Sequence, residues 1–173
     1  MLPEICLSET EELIFRKVNE YRVQHALKPV TLSSSLTYVA QLHAWDLAVN
    51  HPTSRRCNLH SWSSKGSWSS CCYTEDHNKA ECMWNKPREL TNYAGDGFEI
   101  AYWTNEPLSP SGFSDKVLLG WKRSTEHNRV IMNKGKWQKA EWNSMGVGFY
   151  QGYAVVWFGI LPDEEREIHL CVN

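Results

Sequence analysis

"SMGVGFYQGYAVVWFGIL", residues 144–161, is the stretch that decides the fold. Val147 and Phe149 alternate with smaller residues before a turn around Gln151–Gly152, and "YAVVWFG" follows as an almost unbroken apolar run. Alternation, a tight turn and a second apolar run are the signature of a β-hairpin whose second strand is well buried. A strand of that kind needs other elements against it, and the rest of the chain is read for what supplies them.

Helices come first. "SETEELIFRKVNEYRVQHA", residues 8–26, opens with a capping box: Ser8 caps while Glu11, three residues on, reaches back. Ile14, Val18 and Tyr21 then share one helical face. After a break at Pro29, "TLSSSLTYVAQLHAWDLAVN" (31–50) starts again from serine caps. Leu36, Val39, Ala40, His43 and Leu47 form its apolar stripe, and His43 reads there as a packed residue. "SDKVLLGWKRS" (114–124) is a third helix, with Ser114 as cap, Asp115 at the positive end of the helix dipole, and Val117, Leu118 and Trp121 on its buried side. "GFEIAYW" (97–103) fits a short strand or one turn of helix. "EPLSPSG" reads as a connector, "HNRVIMN" as the lead into another loop, and "DEEREIHLCVN" as a charged tail ending at Cys171. Helices with an antiparallel hairpin imply an α+β fold or three-layer sandwich, in a single domain over residues 1–173.

Composition narrows the function classes. The 173 residues carry a formal net charge of −2 with no basic run, which argues against nucleic acid as a partner. No apolar stretch approaches the ~20 residues that span a bilayer. "MLPEIC" is too short and polar for a signal peptide, so the chain reads as a mature secreted domain with an added start methionine. Nine tryptophans and seven tyrosines imply core packing or an aromatic groove for an apolar or carbohydrate ligand.

Residues 51–96 show no sustained period and hold four of the six cysteines. An ordered loop of that length needs cross-links or a function. A zinc knuckle from Cys57, His60, Cys71, Cys72, His77 and Cys82 has suitable donors but one short Cys-x-x-His pair and no second pair to match it. Disulfides fit better, in an oxidising compartment. Adjacent Cys71 and Cys72 would close a strained eight-membered ring. The loop therefore pairs as 57–71 with 72–82 or as 57–72 with 71–82, and Cys6 and Cys171 tie the two ends. The common nucleophile-elbow, phosphate-loop, dinucleotide and metalloprotease motifs are absent. Ser61 beside His60 does not by adjacency make a nucleophile–base pair.

Taken in order, "VNEYR", "HSW", "GFEIAY", "W..S..H...IMN" and "MGVGF…GYAVVWFG" resemble the superfamily of cysteine-rich secretory proteins, antigen 5 and plant pathogenesis-related 1 proteins, above all its compact bacterial-type members. The resemblance covers roughly residues 10–160. It implies an α-β-α sandwich with a central antiparallel sheet and an open cleft lined by two histidines and two acidic residues, which often hold zinc or another divalent cation. His60, Glu99 and His127 match three of these and are the implied metal ligands. At the fourth, three residues after Trp121, stands Ser124, with Glu126 as a nearby substitute. "GFEIA" also departs from the family's "GENIA". The stretch from His60 to Glu99 is long, so residues 57–96 read as a stapled insertion at the cleft mouth.

Trp62, Tyr102 and Trp103 neighbour His60 and Glu99 in sequence and are the expected ligand-contacting aromatics, with packing beneath the loop as the alternative. Three function classes follow. One is a secreted binding module for a divalent metal and a small, sterol-like or other lipid ligand. The second is a metal-assisted hydrolase, since an open zinc site lowers the pKa of bound water. The third is a structural or interaction protein that meets a protein surface and whose cleft has lost function.

Overall fold

The computed structural model describes residues 5–163 and 168–172. Residues 1–4, and 164–167 of the charged tail, lie outside them. The elements are β1 (Cys6–Leu7), α1 (Glu9–Gln24), β2 (Thr31–Leu32), α2 (Ser34–Asn50), α3 (Glu81–Trp84), α4 (Lys86–Leu90), β3 (Gly97–Trp103), α5 (Pro110–Arg123), α6 (Thr125–Ile131), β4 (Ser144–Tyr150), β5 (Tyr153–Gly159) and β6 (His169–Leu170).

The hairpin of β4 and β5 forms as expected, with Val147 opposite Val156 and a left-handed Gln151–Gly152 turn. It is the centre of a four-stranded sheet ordered β2-β4-β5-β3. "GFEIAYW" is the strand β3, antiparallel to β5, so the ambiguity of that short run is settled. The sheet is not wholly antiparallel, because β2 joins β4 in parallel.

Side-chain alternation in the sheet separates two cores. On one face, Ile100, Met145, Val147, Val156 and Phe158 meet Ile14, Val18 and Tyr21 of α1, Phe113, Val117 and Trp121 of α5, and Val130 and Ile131 of α6. On the other, Val155 and Trp157 meet Leu36, Val39, Ala40, Ala44 and Leu47 of α2, together with Trp62, Tyr73 and Met83 of the cysteine-rich stretch. The fold is α+β, in three α-β-α layers. α2 sits directly on the sheet, because β4 presents Gly146 and Gly148 where any Cβ would overlap the helix backbone at Leu36–Thr37 and Ala40–Gln41.

The Ser8–Glu11 capping box is present. Glu11 goes further than a cap, accepting also from Phe149 N–H of β4 at 3.0 Å and from Gln41 of α2, so it joins two layers. Other expectations need correction. α5 begins at Pro110 rather than Ser114: Ser109 caps it by accepting from Gly112 N–H, and Pro110 occupies the first turn, where its missing N–H costs nothing. "HNRVIMN" is not a loop but lies mainly in α6, whose last turn is held by buried Arg22 donating to Ile131 O. The cysteine-rich stretch 57–96, expected to be an insertion, contains the short helices α3 and α4 and a Trp62–Cys71 bridge, local structure too brief to show a period. Its disulfides are 57–72 and 71–82, which decides between the two pairings, and Cys6–Cys171 clasps the small β1–β6 sheet.

Candidate functional site

Glu99 is the centre of the site. Its place on β3, opposite Trp157 of β5, turns its side chain toward the α2 layer, and that side chain is fully buried. A bare carboxylate there would be costly. Both of its oxygens are met by imidazoles: His43 Nδ1 at 2.5 Å from Oε2 and His60 Nδ1 at 2.7 Å from Oε1. Burial alone would raise the Glu99 pKa, but the charge and hydrogen bond of His43, with those of His60, outweigh it and leave the carboxyl below its ordinary value.

His43 comes from the apolar stripe of α2 and is fully buried. Its Nε2 donates to the Ser61 carbonyl at 2.9 Å, since a carbonyl only accepts. Its ring stacks on Trp62. It is packed as its place on the stripe implies, and the same ring also reaches Glu99, 56 residues away in sequence. A histidine on an otherwise apolar stripe was the only available signal.

His60 is carried by the cysteine-rich stretch and is partly exposed, with 18% of its side-chain surface accessible. Asn58 Oδ1 receives its backbone N–H, and the Tyr73 ring packs edge-on against it at 5.1 Å. The disulfides bracket these contacts: Cys57 precedes His60 by three residues, and Cys71 and Cys72 lead directly into Tyr73. The Tyr73 hydroxyl pairs with His77 Nδ1 at 2.8 Å, and burial, with the nearby Glu99 charge, raises its pKa. Tyr73 is a part of the site that sequence reasoning missed.

His127, on α6, stands with its ring centre 6.5 Å from that of His60. Desolvation, reinforced by His60 and only partly opposed by Glu126 and Glu99, lowers its pKa to about 4. It is a neutral imidazole at ordinary pH. The structure thus brings His60, Glu99 and His127 together. Glu126 is exposed and pairs with Arg129 at 2.7 Å, and Ser124 sits at the α5–α6 junction without a capping bond.

The aromatics expected at the site make no ring contact with His60, whose ring neighbours are Tyr73 and His127. Trp62, in the cysteine-rich loop, is buried between His43 and Lys86, whose ammonium lies 5.3 Å from its ring. Tyr102 points to the opposite sheet face from Glu99 and lines a depression of about 370 Å³ beside α5. Trp103 shares the Glu99 face but is four residues along, ~13 Å away on a strand, where it packs against Tyr153.

Three convergent protein donors are the usual minimum for a catalytic zinc. Glu99 has committed both oxygens to imidazoles, and no group of three His, Cys, Asp or Glu among the described residues is placed to hold a metal ion. Two imidazoles on one tetrahedral zinc have ring centres roughly 5 Å apart, closer than the 6.5 Å found here. As arranged, these residues do not fit a zinc centre, and Glu99 fits an orienting partner of His60 instead. Ser61 is not a nucleophile either: it is fully buried, and its hydroxyl accepts from Tyr73 N–H at 2.9 Å.

The profile of the cysteine-rich secretory protein family, the CAP domain, matches residues 15–158. The chain belongs to this family. Its fold is similar to that of a 1.5 Å structure of an extracellular protein containing an SCP domain from Bacillus anthracis (18% identity, TM-score 0.59, 88% of this chain and 40% of that one). It is also similar to a cysteine-rich secretory protein from Staphylococcus aureus (16%, TM-score 0.54, 88% and 38%). An outer surface protein from Borrelia burgdorferi is matched over almost its whole length (16%, TM-score 0.58, 92% and 98%). The CAP chain spans about two fifths of the Bacillus and Staphylococcus proteins. No curated protein sequence matches it significantly. No described helix is long and apolar enough to cross a membrane.

Proposed function

We propose that this CAP domain is a secreted binding module whose recognition point is the His60–His127 pair, and that its ligand is a small polar molecule offering hydrogen-bond donors. The observation that carries the reading is the Glu99–His60 bond of 2.7 Å beside a neutral His127. With its Nδ1 hydrogen given to Glu99, His60 keeps an unshared pair on Nε2, and a neutral His127 has one as well. Two imidazole lone pairs suit a ligand that donates. That Trp62, Tyr102 and Trp103 make no ring contact with His60 favours a polar ligand over a sterol or fatty acid. Three disulfides fit an oxidising compartment, and the extracellular Bacillus relative supports secretion.

The test is a ligand-observed NMR screen of hydroxyl- and amine-bearing fragments against wild type, His60→Ala and His127→Ala. Fragments that bind wild type and are lost in both variants support the reading. Fragments that bind all three proteins equally, or none at all, would overturn it.

A further inference from the structure

His43 has no part in the family motifs that mark His60, Glu99 and His127, yet both of its ring nitrogens are engaged. It is fully buried on α2, donates through Nε2 to Ser61 O of the cysteine-rich stretch at 2.9 Å, and meets Glu99 Oε2 of β3 through Nδ1 at 2.5 Å. Trp62 covers one face of its ring and the Trp157 indole approaches from β5, with centroids 6.5 Å apart. The titratable groups around it are Glu99, with His60 on its other oxygen, buried Asp46 one turn further along α2, and Lys86 beyond Trp62.

Packing alone does not call for histidine here. Phenylalanine would fill a similar volume and stack equally well on Trp62. It would leave Ser61 O and Glu99 Oε2 buried without partners, a desolvation cost that the imidazole removes. The consequence extends to His60. Because Nε2 already carries a hydrogen, the contact at Nδ1 contains a proton whether it rests on the ring or on the carboxyl. That engages Oε2 and leaves Oε1 to accept, so His60 must donate through Nδ1.

We infer that His43 is a positioning residue: engaged at both ring nitrogens, by Ser61 and by Glu99, it dedicates the carboxylate to His60 and holds the His60 lone pair on Nε2. It acts through Glu99 and touches no ligand. The role rests on the His60–His127 reading above, but the two fail separately. A negative fragment screen with the histidine protonation pattern intact would remove the pair's part in recognition and leave the positioning role standing.

The experiment is long-range ¹H–¹⁵N correlation NMR on protein with ¹⁵N-labelled histidine rings, assigned with single-histidine variants. Wild type is expected to show a hydrogen on His43 Nε2, a strongly shared proton at its Nδ1, and His60 in a single Nδ1–H form. In His43→Phe, which keeps the stack on Trp62, His60 should become a mixture of both tautomers. His43→Gln, whose amide can still donate to Glu99, should recover most of the wild-type pattern. A wild-type His60 protonated on Nε2 would overturn the inference, as would a folded His43→Phe with an unchanged His60 spectrum. If His43→Phe does not fold, the wild-type spectrum and His43→Gln decide the matter.

Discussion

His43 lies flat on Trp62, with ring centroids 4.3 Å apart and planes within 8° of parallel. Lys86 covers the indole from 5.3 Å, so the tryptophan is held between an imidazole and an ammonium. Trp62→Ala should cost about 3–5 kcal/mol, as deletion of a buried aromatic does. The indole nitrogen has no hydrogen-bond partner. Trp62→Phe should therefore cost much less, on the order of 1 kcal/mol. Urea unfolding followed by circular dichroism separates the two variants, and equal losses would show that the stack contributes little.

Gly146 should be intolerant of even a methyl group, because α2 backbone occupies that space. Gly146→Ala is expected to cost about 3 kcal/mol or more. In Gly112→Ala the new atom meets only the Ser109 and Leu108 side chains, and the helix gains propensity, so the change should stay within about 1 kcal/mol. Thermal melts of both variants check the contrast. A Gly146→Ala melt matching wild type would mean that the helix can lift off the sheet.

Acid should weaken the fold through this site. The His127 pKa of about 4 lies below the ordinary histidine value of ~6.5, so between these pH values the unfolded chain binds more protons than the folded one. Stability therefore falls as pH drops through that window, by about 2 kcal/mol between pH 7 and pH 5 from this residue alone. Glu99, with its lowered pKa, acts in the same direction: its contribution is present above the ordinary carboxyl range and is lost as pH falls through its folded value. Denaturation of wild type and His127→Gln at both pH values tests the sign, with the variant losing about 2 kcal/mol less. Parallel losses would refute it.

The terminal clasp should outweigh the loop staples. Cys6 and Cys171 are 165 residues apart and Cys57 and Cys72 are 15 apart. Chain entropy assigns these bridges about 5 and about 3 kcal/mol. Paired Cys→Ser variants, compared by chemical denaturation, should follow that order. Loss of either loop bridge, and not of the terminal one, should also disturb the His60 ring signals.

Zinc binding should be weak. Protein purified without chelator or metal-affinity resin is expected to carry well below one zinc per chain by mass spectrometry, because Glu99 is taken by two histidines. A stoichiometric zinc lost in both His60→Ala and His127→Ala would show that the pair rearranges around metal.

Much of this was legible in the sequence because it is local. The Ser8 cap, the stripe of α1 and the Gln151–Gly152 hairpin are each set by residues within a few positions of one another. The ordered motifs placed His60, Glu99 and His127 at one site before any coordinates. What could not be read depends on distant registers. His43 reaches Glu99 because Gly146 and Gly148 let α2 settle onto the sheet, and Tyr73 meets His60 where the 57–72 bridge brings the two ends of a loop together. Tyr102 falls on the face opposite Glu99 because side chains alternate along a strand, and Trp103 shares the Glu99 face but lies four residues further along.

The adjacency of Cys71 and Cys72 has one more consequence. The bridges 57–72 and 71–82 overlap at these two residues, so every peptide bond from Cys57 to Cys82 is spanned by at least one of them. An extracellular protease that cuts once anywhere in this stretch releases no fragment. Tyr73 and His60 stay on the same covalent mesh, and a nicked molecule remains in one piece.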